Sequence, residues 1–179
     1  DNMYMRDWAK SIRKAGKTMP ILSFPSVSLL GITVSELISD PKLQAKGMKA
    51  VADRVPSAAS VSMMDLSVEA EAFGSQVKVS DIEVPTVVGA VVTSEEEADA
   101  LEVPEVGAGR TGLYIEAISN VCKMVDDRPV FAGVIGPFSL AGRLLDVTEA
   151  LVYCYTEPDM VHTVMRKVTD FLHKYIDAY

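Results

Sequence analysis

The chain has 179 residues and a formal net charge of −8, and its composition is 49% hydrophobic and 23% charged. That length suits one domain with a substantial core, and that composition is typical of a globular protein and not of a disordered chain. The acidic balance, with no cluster of lysines and arginines, argues against a nucleic-acid partner.

Cysteine use and hydropathy indicate the compartment. Cys122 and Cys154 lie far apart, without a CxxC pair or a nearby pair of histidines. We therefore predict two buried thiols in a reducing cytoplasm, and neither a disulfide scaffold nor a zinc knuckle. No segment reaches the roughly 18 consecutive apolar residues of a membrane span, and charges stand where a signal peptide has its apolar core. The sequence thus predicts a soluble, cytoplasmic protein with no membrane partner.

Helix-like and strand-like segments alternate along the chain. Apolar spacing and N-cap signals predict helices at residues 2–17, from Asp40-Pro41 to 55, from Ser94, at 111–125, at 139–145, at 149–155 and from 156 to the end. The inward face of the helix at 111–125 is predicted to hold Leu113, Ala117, Val121, Met124 and Val125. Unbroken apolar runs predict buried strands at 19–24, 58–64 and 130–135, and residues 74–88 suggest a small strand pair or an irregular extension.

Three strands that alternate with helices predict an α/β fold with a parallel sheet. Three strands cannot close a barrel, which needs eight β/α units and about 250 residues. The final helix keeps its apolar register to Tyr179 without a stop signal. We therefore predict the N-terminal half of a TIM (β/α)8 barrel: a leading helix and about three β/α units, with residues 1–179 as one truncated domain.

The stretch from Arg128 to Leu145 carries the clearest site signal. Its apolar run reads as a strand buried on both faces, and Gly136-Pro137 then ends the strand because Pro cannot donate to the ladder. Ser139 and Arg143 follow at the start of a helix. This places both side chains just beyond the carboxyl end of a strand, where α/β folds keep their sites.

Residues Gly107 to Gly112 match the pattern GxGxxG and precede a helix. The preceding segment contains Pro104, which does not suit a buried strand, and no acidic residue ends the next strand. We interpret the motif as a loop that enters a helix. Arg110, at the mouth of that helix, remains a candidate for contact with an anion.

The two histidines, His162 and His173, lie on one side of the final helix, too far apart to share a metal ion. We predict that both are on the surface. No histidine stands at a strand end, so a Ser-His-Asp triad has no support.

Asp65 stands at the carboxyl end of the predicted second strand. A carboxylate there is buried only if it is paired, so Asp65 either caps the following turn or faces a cavity, and position alone leaves both open. Glu69 and Glu71 either join it or serve as carboxylates in the first turn of a helix.

Three segments, at residues 65–74, 109–111 and 136–142, together resemble the uroporphyrinogen decarboxylase superfamily. Within it the chain is most similar to the methylcobamide:coenzyme M methyltransferase branch, and the resemblance covers the N-terminal half of a family member. It implies a (β/α)8 barrel whose site lies at the carboxyl ends of the strands.

For the decarboxylases, the resemblance implies that Asp65 takes the position of an aspartate that contacts the pyrrole nitrogens of a tetrapyrrole. Their arginine-rich motif is replaced here by residues 23–28, which contain no arginine, and Arg143 stands where a tyrosine is expected. Eight substrate carboxylates would lack their cationic partners, which argues against that reaction.

The methyltransferase branch implies transfer of a methyl group from a methyl-corrinoid, carried by a corrinoid protein, to a small thiol such as coenzyme M. Its zinc ligands belong to the second half of a member, so zinc is expected only in the full-length protein and the fragment alone is expected to be inactive. The resemblance makes Asp65 the catalytic candidate, and the substrate-binding candidates are Ser139, Arg143, Arg110 and Glu69.

Two alternatives stay open. One is a uroporphyrinogen decarboxylase, a tetrapyrrole carboxy-lyase. The other is a non-catalytic half-barrel that binds a separate second half and forms oligomers through an exposed apolar edge at the third strand and final helix.

Overall fold

The computed structural model describes residues 4–179. Within them the helices are α1 Met5–Lys14, α2 Ser26–Leu30, α3 Val34–Ser39, α4 Pro41–Arg54, α5 Val68–Ala72, α6 Glu95–Ala100, α7 Thr111–Val121, α8 Pro137–Leu145, α9 Val147–Thr156 and α10 Pro158–Ala178. The strands are β1 Ser60–Val61, β2 Gln76–Lys78, β3 Thr86–Val88 and β4 Val130–Phe131. The predicted first helix began at residue 2; residues 2 and 3 lie outside the described part of the chain.

The strands form two separate pairs. Strands β1 and β4 are parallel, with Ser60 opposite Val130, and β2 and β3 are antiparallel, which confirms the strand pair predicted at 74–88. The α/β class is therefore correct. The arrangement as half of a closed barrel stays a prediction.

The predicted strand at residues 19–24 is wrong. Pro20 has no N–H to donate, and the side chains of Met19 and Ile21 are 44% and 50% exposed, which does not suit a buried strand. The segment still runs beside β1. The Ser23 hydroxyl donates to the carbonyls of Val61 and Ser62, at 2.8 and 2.7 Å, so a side chain provides the contact that a ladder would make.

The other two predicted strands are much shorter than expected. Val130 and Phe131 are only half-buried, so the prediction of a strand buried on both faces is also wrong. Past β4, the amide of Gly133 donates to the Ser62 hydroxyl at 2.8 Å instead of to a backbone carbonyl. The two segments thus stay together up to their carboxyl ends, although regular pairing has stopped.

Among residues 4–179, side-chain caps open four of the ten helices, namely α3, α4, α6 and α9. The Asp40 carboxylate accepts from the amides of Lys42 and Leu43 and opens α4, as predicted. Ser94 accepts from the amide of Glu97 and opens α6, which also agrees with the sequence. Helix α3 was not predicted, although Thr33 and Glu36 form a complete capping box.

Helix α7 ends at Val121, four residues before the predicted end, and its inward face is shifted. Its buried residues are Thr111, Tyr114, Ala117, Ile118 and Val121. Met124 is 38% exposed, so its assignment to the inward face was wrong, whereas Leu113 is half-buried and packs against the second core cluster. The shift brings the Tyr114 hydroxyl into the interior.

Helix α10 organises the larger of two core clusters. Most of its predicted apolar face is buried, but Met165 and Tyr179 are half-buried and Ile176 is 51% exposed. The ring of Phe171 meets Phe73 edge-on, with centroids 5.3 Å apart, and stacks on Tyr175 at 5.7 Å. Burying each such side chain contributes about 1.5–3 kcal/mol, so this face holds α10 in place. Tyr179 also contacts the second cluster, which lies between α4 and α7.

Two surface features complete the fold. Trp8 of α1 packs edge-on against Phe131 of β4, with ring centroids 5.1 Å apart.

Cys122 and Cys154 are both exposed, so the prediction of buried thiols is wrong: α7 ends just before Cys122, and Cys154 lies on the outer side of α9. Among the helices of residues 4–179, none combines the length and apolar content needed to cross a membrane.

Candidate functional site

Asp65 lies just beyond β1, and its side chain is fully buried. One carboxylate oxygen, Oδ1, accepts from the amide and the hydroxyl of Ser67, at 3.0 and 2.6 Å. The other, Oδ2, accepts from the hydroxyl of Tyr114 at 2.8 Å and from a guanidinium nitrogen of Arg110. Asp65 therefore both caps the turn into α5 and is paired, which is how a protein can bury a carboxylate.

Arg110 holds this cluster together from the start of α7. Besides Asp65, its Nε donates to Oε2 of Glu71 at 2.7 Å and its Nη2 donates to the Ser67 hydroxyl at 2.8 Å. Burial works to lower the pKa of Arg110, but the adjacent Asp65 carboxylate, with Glu71, raises it above its ordinary value. The guanidinium is 11% exposed and its charge is neutralised inside the protein, so it is not free to contact an outside anion.

The loop at residues 107–109 is shaped to deliver Arg110. Gly107 and Gly109 have φ values of 106° and 55°, a region that favours glycine. A Cβ on Gly109 would lie 3.4 Å from the Ala72 amide nitrogen, so the loop packs closely on α5. In the described part of the chain, the element directly before this loop is helix α6 and not a strand, which confirms the interpretation of the GxGxxG match as a loop that enters a helix.

Tyr114 is a member of this cluster that the sequence analysis missed. Its hydroxyl is buried, and burial, together with the Asp65 carboxylate, raises its pKa far above the usual range. It is therefore a permanent hydrogen-bond donor. Its position four residues after Arg110, on the same face of one helix, was a signal available in the sequence.

Glu69 lies on α5, 3% exposed, behind the Asp65–Arg110 cluster. Its Oε1 accepts from the Ile135 amide at 3.0 Å, and within residues 4–179 its Oε2 has no hydrogen-bond partner. Burial raises the pKa of the carboxyl and the Asp65 charge adds to this, whereas the bond from Ile135 and the charge of Arg143 lower it less. The protonated, neutral form of Glu69 is favoured over a wider pH range than in a free glutamate.

Ser139 and Arg143 lie on α8. Ser139 is exposed, and its carbonyl accepts from Nη1 of Arg143 at 3.0 Å. Arg143 lines an open cleft whose floor includes Ser67, whereas Ser139 is not among the lining residues. The structure thus brings Asp65 and Arg110 together in one cluster, which shares Ser67 with the cleft that Arg143 lines, and it leaves Ser139 outside that cleft.

His162 and His173 are both exposed on α10, as predicted. In the part of the chain that the structure describes, no three His, Cys, Asp or Glu side chains come together as a metal site requires. These residues therefore offer no fit for a zinc ion.

One family model and several known proteins match this chain. A family model described as uroporphyrinogen decarboxylase (URO-D) matches residues 8–179. The methylcobamide:CoM methyltransferase MtbA of Methanosarcina acetivorans is 38% identical over 82 residues, which are 45% of this chain and 24% of that protein. A methylated-thiol–coenzyme M methyltransferase of Methanosarcina mazei is 29% identical over 115 residues, covering 62% of this chain and 30% of the relative.

Among solved structures, a methyltransferase from Methanosarcina mazei superposes with a TM-score of 0.76 at 21% identity. The match covers 90% of this chain and 49% of that one. At this identity it supports a shared fold only. The chain therefore spans about half the length of the solved relative, and the matched segments span a smaller share of the curated ones. Because the family model matches nearly the whole chain, the chain belongs to the uroporphyrinogen decarboxylase (URO-D) family.

Proposed function

We propose that this chain is part of a corrinoid-dependent methyltransferase that moves a methyl group from a methyl-corrinoid on a corrinoid protein to a small thiol such as coenzyme M. Support comes from the family match and from two curated relatives whose names state transfer to coenzyme M. In that reaction the thiol loses its proton, the sulfur forms a bond to the methyl carbon, and the bond between methyl and corrinoid breaks with its electron pair left on the corrinoid.

The supply of cations at the cleft is the observation that favours this function over tetrapyrrole decarboxylation. Among the described residues 4–179, Arg143 is the single basic residue that lines the cleft. Arg110 is not part of the lining, and it is already bonded to Asp65 and Glu71. A substrate with eight carboxylates needs several such partners, whereas a small thiol does not.

In this proposal each residue has a defined task. Asp65, held by Arg110 and Tyr114, fixes the turn that forms the cleft floor, and Arg143 stands at the pocket mouth with Ser139 on the outer side of the same helix. Glu69 holds the Ile135 amide, just before the start of α8. The zinc that activates the thiol is, in the proposal, held by residues that this chain does not contain.

The test uses the full-length protein that contains this chain. We expect bound zinc in metal analysis and transfer of methyl from methylcobalamin to a thiol, followed by the absorbance change of the corrinoid. Absence of both would overturn the proposal, and release of CO2 from uroporphyrinogen would establish the decarboxylase instead. The same assay with the methyl-corrinoid on its carrier protein tests the partner, because transfer is then expected to be faster than from free methylcobalamin.

A second candidate, a binding half that pairs with a separate chain and forms oligomers, is favoured by one exposed surface, although this surface lies on α9 and not at the predicted edge of the third strand and final helix. Helix α9 exposes Val147, Leu151, Val152 and Tyr155 at 57%, 63%, 48% and 91%. Such an apolar surface is typical of an interface. Sedimentation of the 179-residue chain tests it, since a stable monomer at high concentration contradicts the binding half.

A further inference from the structure

Glu69 carries a buried carboxylate oxygen that has no partner in the described part of the chain. The residue is 3% exposed, and within residues 4–179 its Oε1 accepts from the Ile135 amide at 3.0 Å whereas its Oε2 accepts nothing. An ionised carboxylate in such a place is costly unless a cation reaches it, and a neutral acid avoids that cost. The two protonation states of Glu69 therefore need different surroundings.

Several elements place charged or titratable groups around this carboxyl. Burial raises the pKa of Glu69 most, the charge of Asp65 in the turn after β1 adds to this, and the charge of Arg143 on α8 lowers it. Helix α10 contributes Tyr175 and Tyr179, whose hydroxyls bond each other at 2.6 Å. Burial raises the pKa of both hydroxyls, that of Tyr179 to about 12, so both are neutral groups near pH 7.

Helix α7 supplies a second arginine near Glu69, but its donors are occupied. Arg110 is bonded to Asp65 and to Glu71. Tyr114 of the same helix donates to Asp65, and burial raises the pKa of its hydroxyl far above the usual range. Neither side chain of α7 is therefore free to balance a charge on Glu69.

Arg143 is near Glu69 and is held only weakly where it lies. Within residues 4–179 the hydrogen bond of its guanidinium goes to the Ser139 carbonyl of its own helix, and no carboxylate lies within ion-pair distance of it. Helices α5 and α8 are in contact, so the two side chains face each other across neighbouring elements. A guanidinium bonds a carboxylate more strongly than a neutral carbonyl. Ionisation of Glu69 would therefore change the preferred partner of Arg143.

We propose that Arg143 has two positions and that the protonation of Glu69 selects between them. While Glu69 is neutral, Arg143 bonds the Ser139 carbonyl and lines the cleft, as in this structure. When Glu69 loses its proton, the guanidinium leaves that carbonyl and bonds Oε2 of Glu69. Because Arg143 is the single basic residue among the described residues that line the cleft, this step removes the positive charge of the cleft.

This device goes beyond the proposed function, because it regulates the charge of the cleft and requires no methyl transfer. A protein that fails the methyl-transfer test can still show it, and an active methyltransferase can lack it. The two proposals therefore fail separately.

The experiment is an NMR titration of the 179-residue chain, labelled with carbon-13 and nitrogen-15, between about pH 4 and 9. It follows the carboxyl carbon of Glu69 and the guanidinium Cζ and Nε of Arg143. We expect both residues to change at one shared midpoint above 4.5, the ordinary pKa of Glu69. Arginine does not titrate in this range, so a change in its signals reports a change of partner. Arg143 signals that stay flat through the Glu69 midpoint would overturn the proposal.

Variants separate this exchange of partners from burial alone. In Glu69→Gln the Arg143 signals should stay constant over the whole pH range. Arg143→Gln should raise the Glu69 midpoint by about one pH unit, because the ionised carboxylate loses its cation. Arg143→Lys keeps the charge but not the planar fork, so its midpoint should lie between those of the wild type and Arg143→Gln.

Arg166→Gln is the matched control, because Arg166 is an exposed arginine that also bonds within its own helix, to the Thr163 hydroxyl at 2.9 Å. It should leave both sets of signals unchanged. An Arg143 change that persists in Glu69→Gln, an unchanged midpoint in Arg143→Gln, or an equal change in Arg166→Gln would each overturn the proposal. So would a midpoint that moves in Tyr179→Phe and not in Arg143→Gln, since the partner of Glu69 would then be a tyrosine.

Discussion

The charged side chains that follow the two strands of the parallel pair differ in whether they have partners within the protein. Beyond β1, Asp65 and Arg110 satisfy each other, with Ser67 and Tyr114 completing a buried cluster. Beyond β4, Arg143 has no carboxylate partner in residues 4–179 and faces an open cleft. The difference teaches that a position at the carboxyl end of a strand does not by itself define a functional residue. The partners of the side chain decide whether it supports the fold or remains available to a ligand.

The largest effect on stability is expected when Arg110, the centre of the buried cluster, is replaced. Arg110→Gln leaves the fully buried Asp65 carboxylate without its counter-ion, and we expect the free energy of unfolding to fall by about 3–5 kcal/mol. Urea unfolding followed by circular dichroism measures it.

The matched control is Arg128→Gln. Arg128 is 12% exposed, close to the 11% of Arg110, but its ion-pair partner Asp127 is 59% exposed and stays solvated when the pair is lost. We expect a smaller loss than for Arg110→Gln. An equal or larger loss would show that the burial of the carboxylate is not what matters.

Tyr114→Phe removes one donor to Asp65 and leaves Arg110 in place. The expected cost is about 1.5–3 kcal/mol, the usual range for a hydrogen bond to a charged group. The same unfolding measurement applies, with Tyr153→Phe as the control, because the Tyr153 hydroxyl makes no hydrogen bond within residues 4–179. Equal effects of the two substitutions would contradict a specific role for the Tyr114 hydroxyl.

Glu69→Gln should change how stability depends on pH. The pKa of folded Glu69 lies above its ordinary value of 4.5, so above pH 4.5 the folded state holds a proton that the unfolded state has released. Stability from this group falls as the pH rises through the folded pKa, and Gln removes that fall while its carbonyl can still accept from Ile135. Relative to the wild type, the variant should gain stability as the pH rises.

Thermal unfolding between pH 4 and 8 tests the sign. Glu97→Gln is the opposite control, because hydrogen bonds from Thr93 lower the pKa of Glu97. Its carboxylate stabilises the fold above the ordinary pKa, so its variant should lose stability, relative to the wild type, as the pH rises. Parallel curves for Glu69→Gln and the wild type would show that burial does not shift Glu69.

The smallest effect on stability is expected at Ser139, which is exposed on α8. Ser139→Ala should change the free energy of unfolding by less than about 0.5 kcal/mol, because the contact to Arg143 uses the Ser139 backbone carbonyl. Ser67→Ala should cost clearly more, since the Ser67 hydroxyl bonds both Asp65 and Arg110. Similar unfolding midpoints for the two alanine variants would remove the distinction between the two strand ends.

The sequence correctly predicted features that depend on residues close together along the chain. Asp40-Pro41 opens α4 as expected, and the apolar spacing of α10 correctly gave its buried face. Helix α3 was missed although its Thr33 and Glu36 carried a readable capping signal. The strand at 19–24 was wrong because apolar character was given more weight than the missing donor of Pro20.

The candidate site was predictable only in part. The position of Asp65 at a strand end followed from the sequence, but its bond to Arg110 joins residues far apart along the chain, and no local pattern encodes that distance. Burial of Glu69 likewise depends on Ile135 from another segment. Catalytic and substrate-binding roles for these residues remain predictions, because contacts within the chain do not identify a substrate.

The edge-on contact between Trp8 and Phe131 has an optical consequence. Trp8 is the single tryptophan of the sequence, so all tryptophan fluorescence of the chain arises beside β4. A shift of its emission maximum to longer wavelength would report the release of α1 from that strand, even while the core around α10 stays folded. The chain thus contains a spectroscopic reporter for one end of the parallel pair, and no dye needs to be attached.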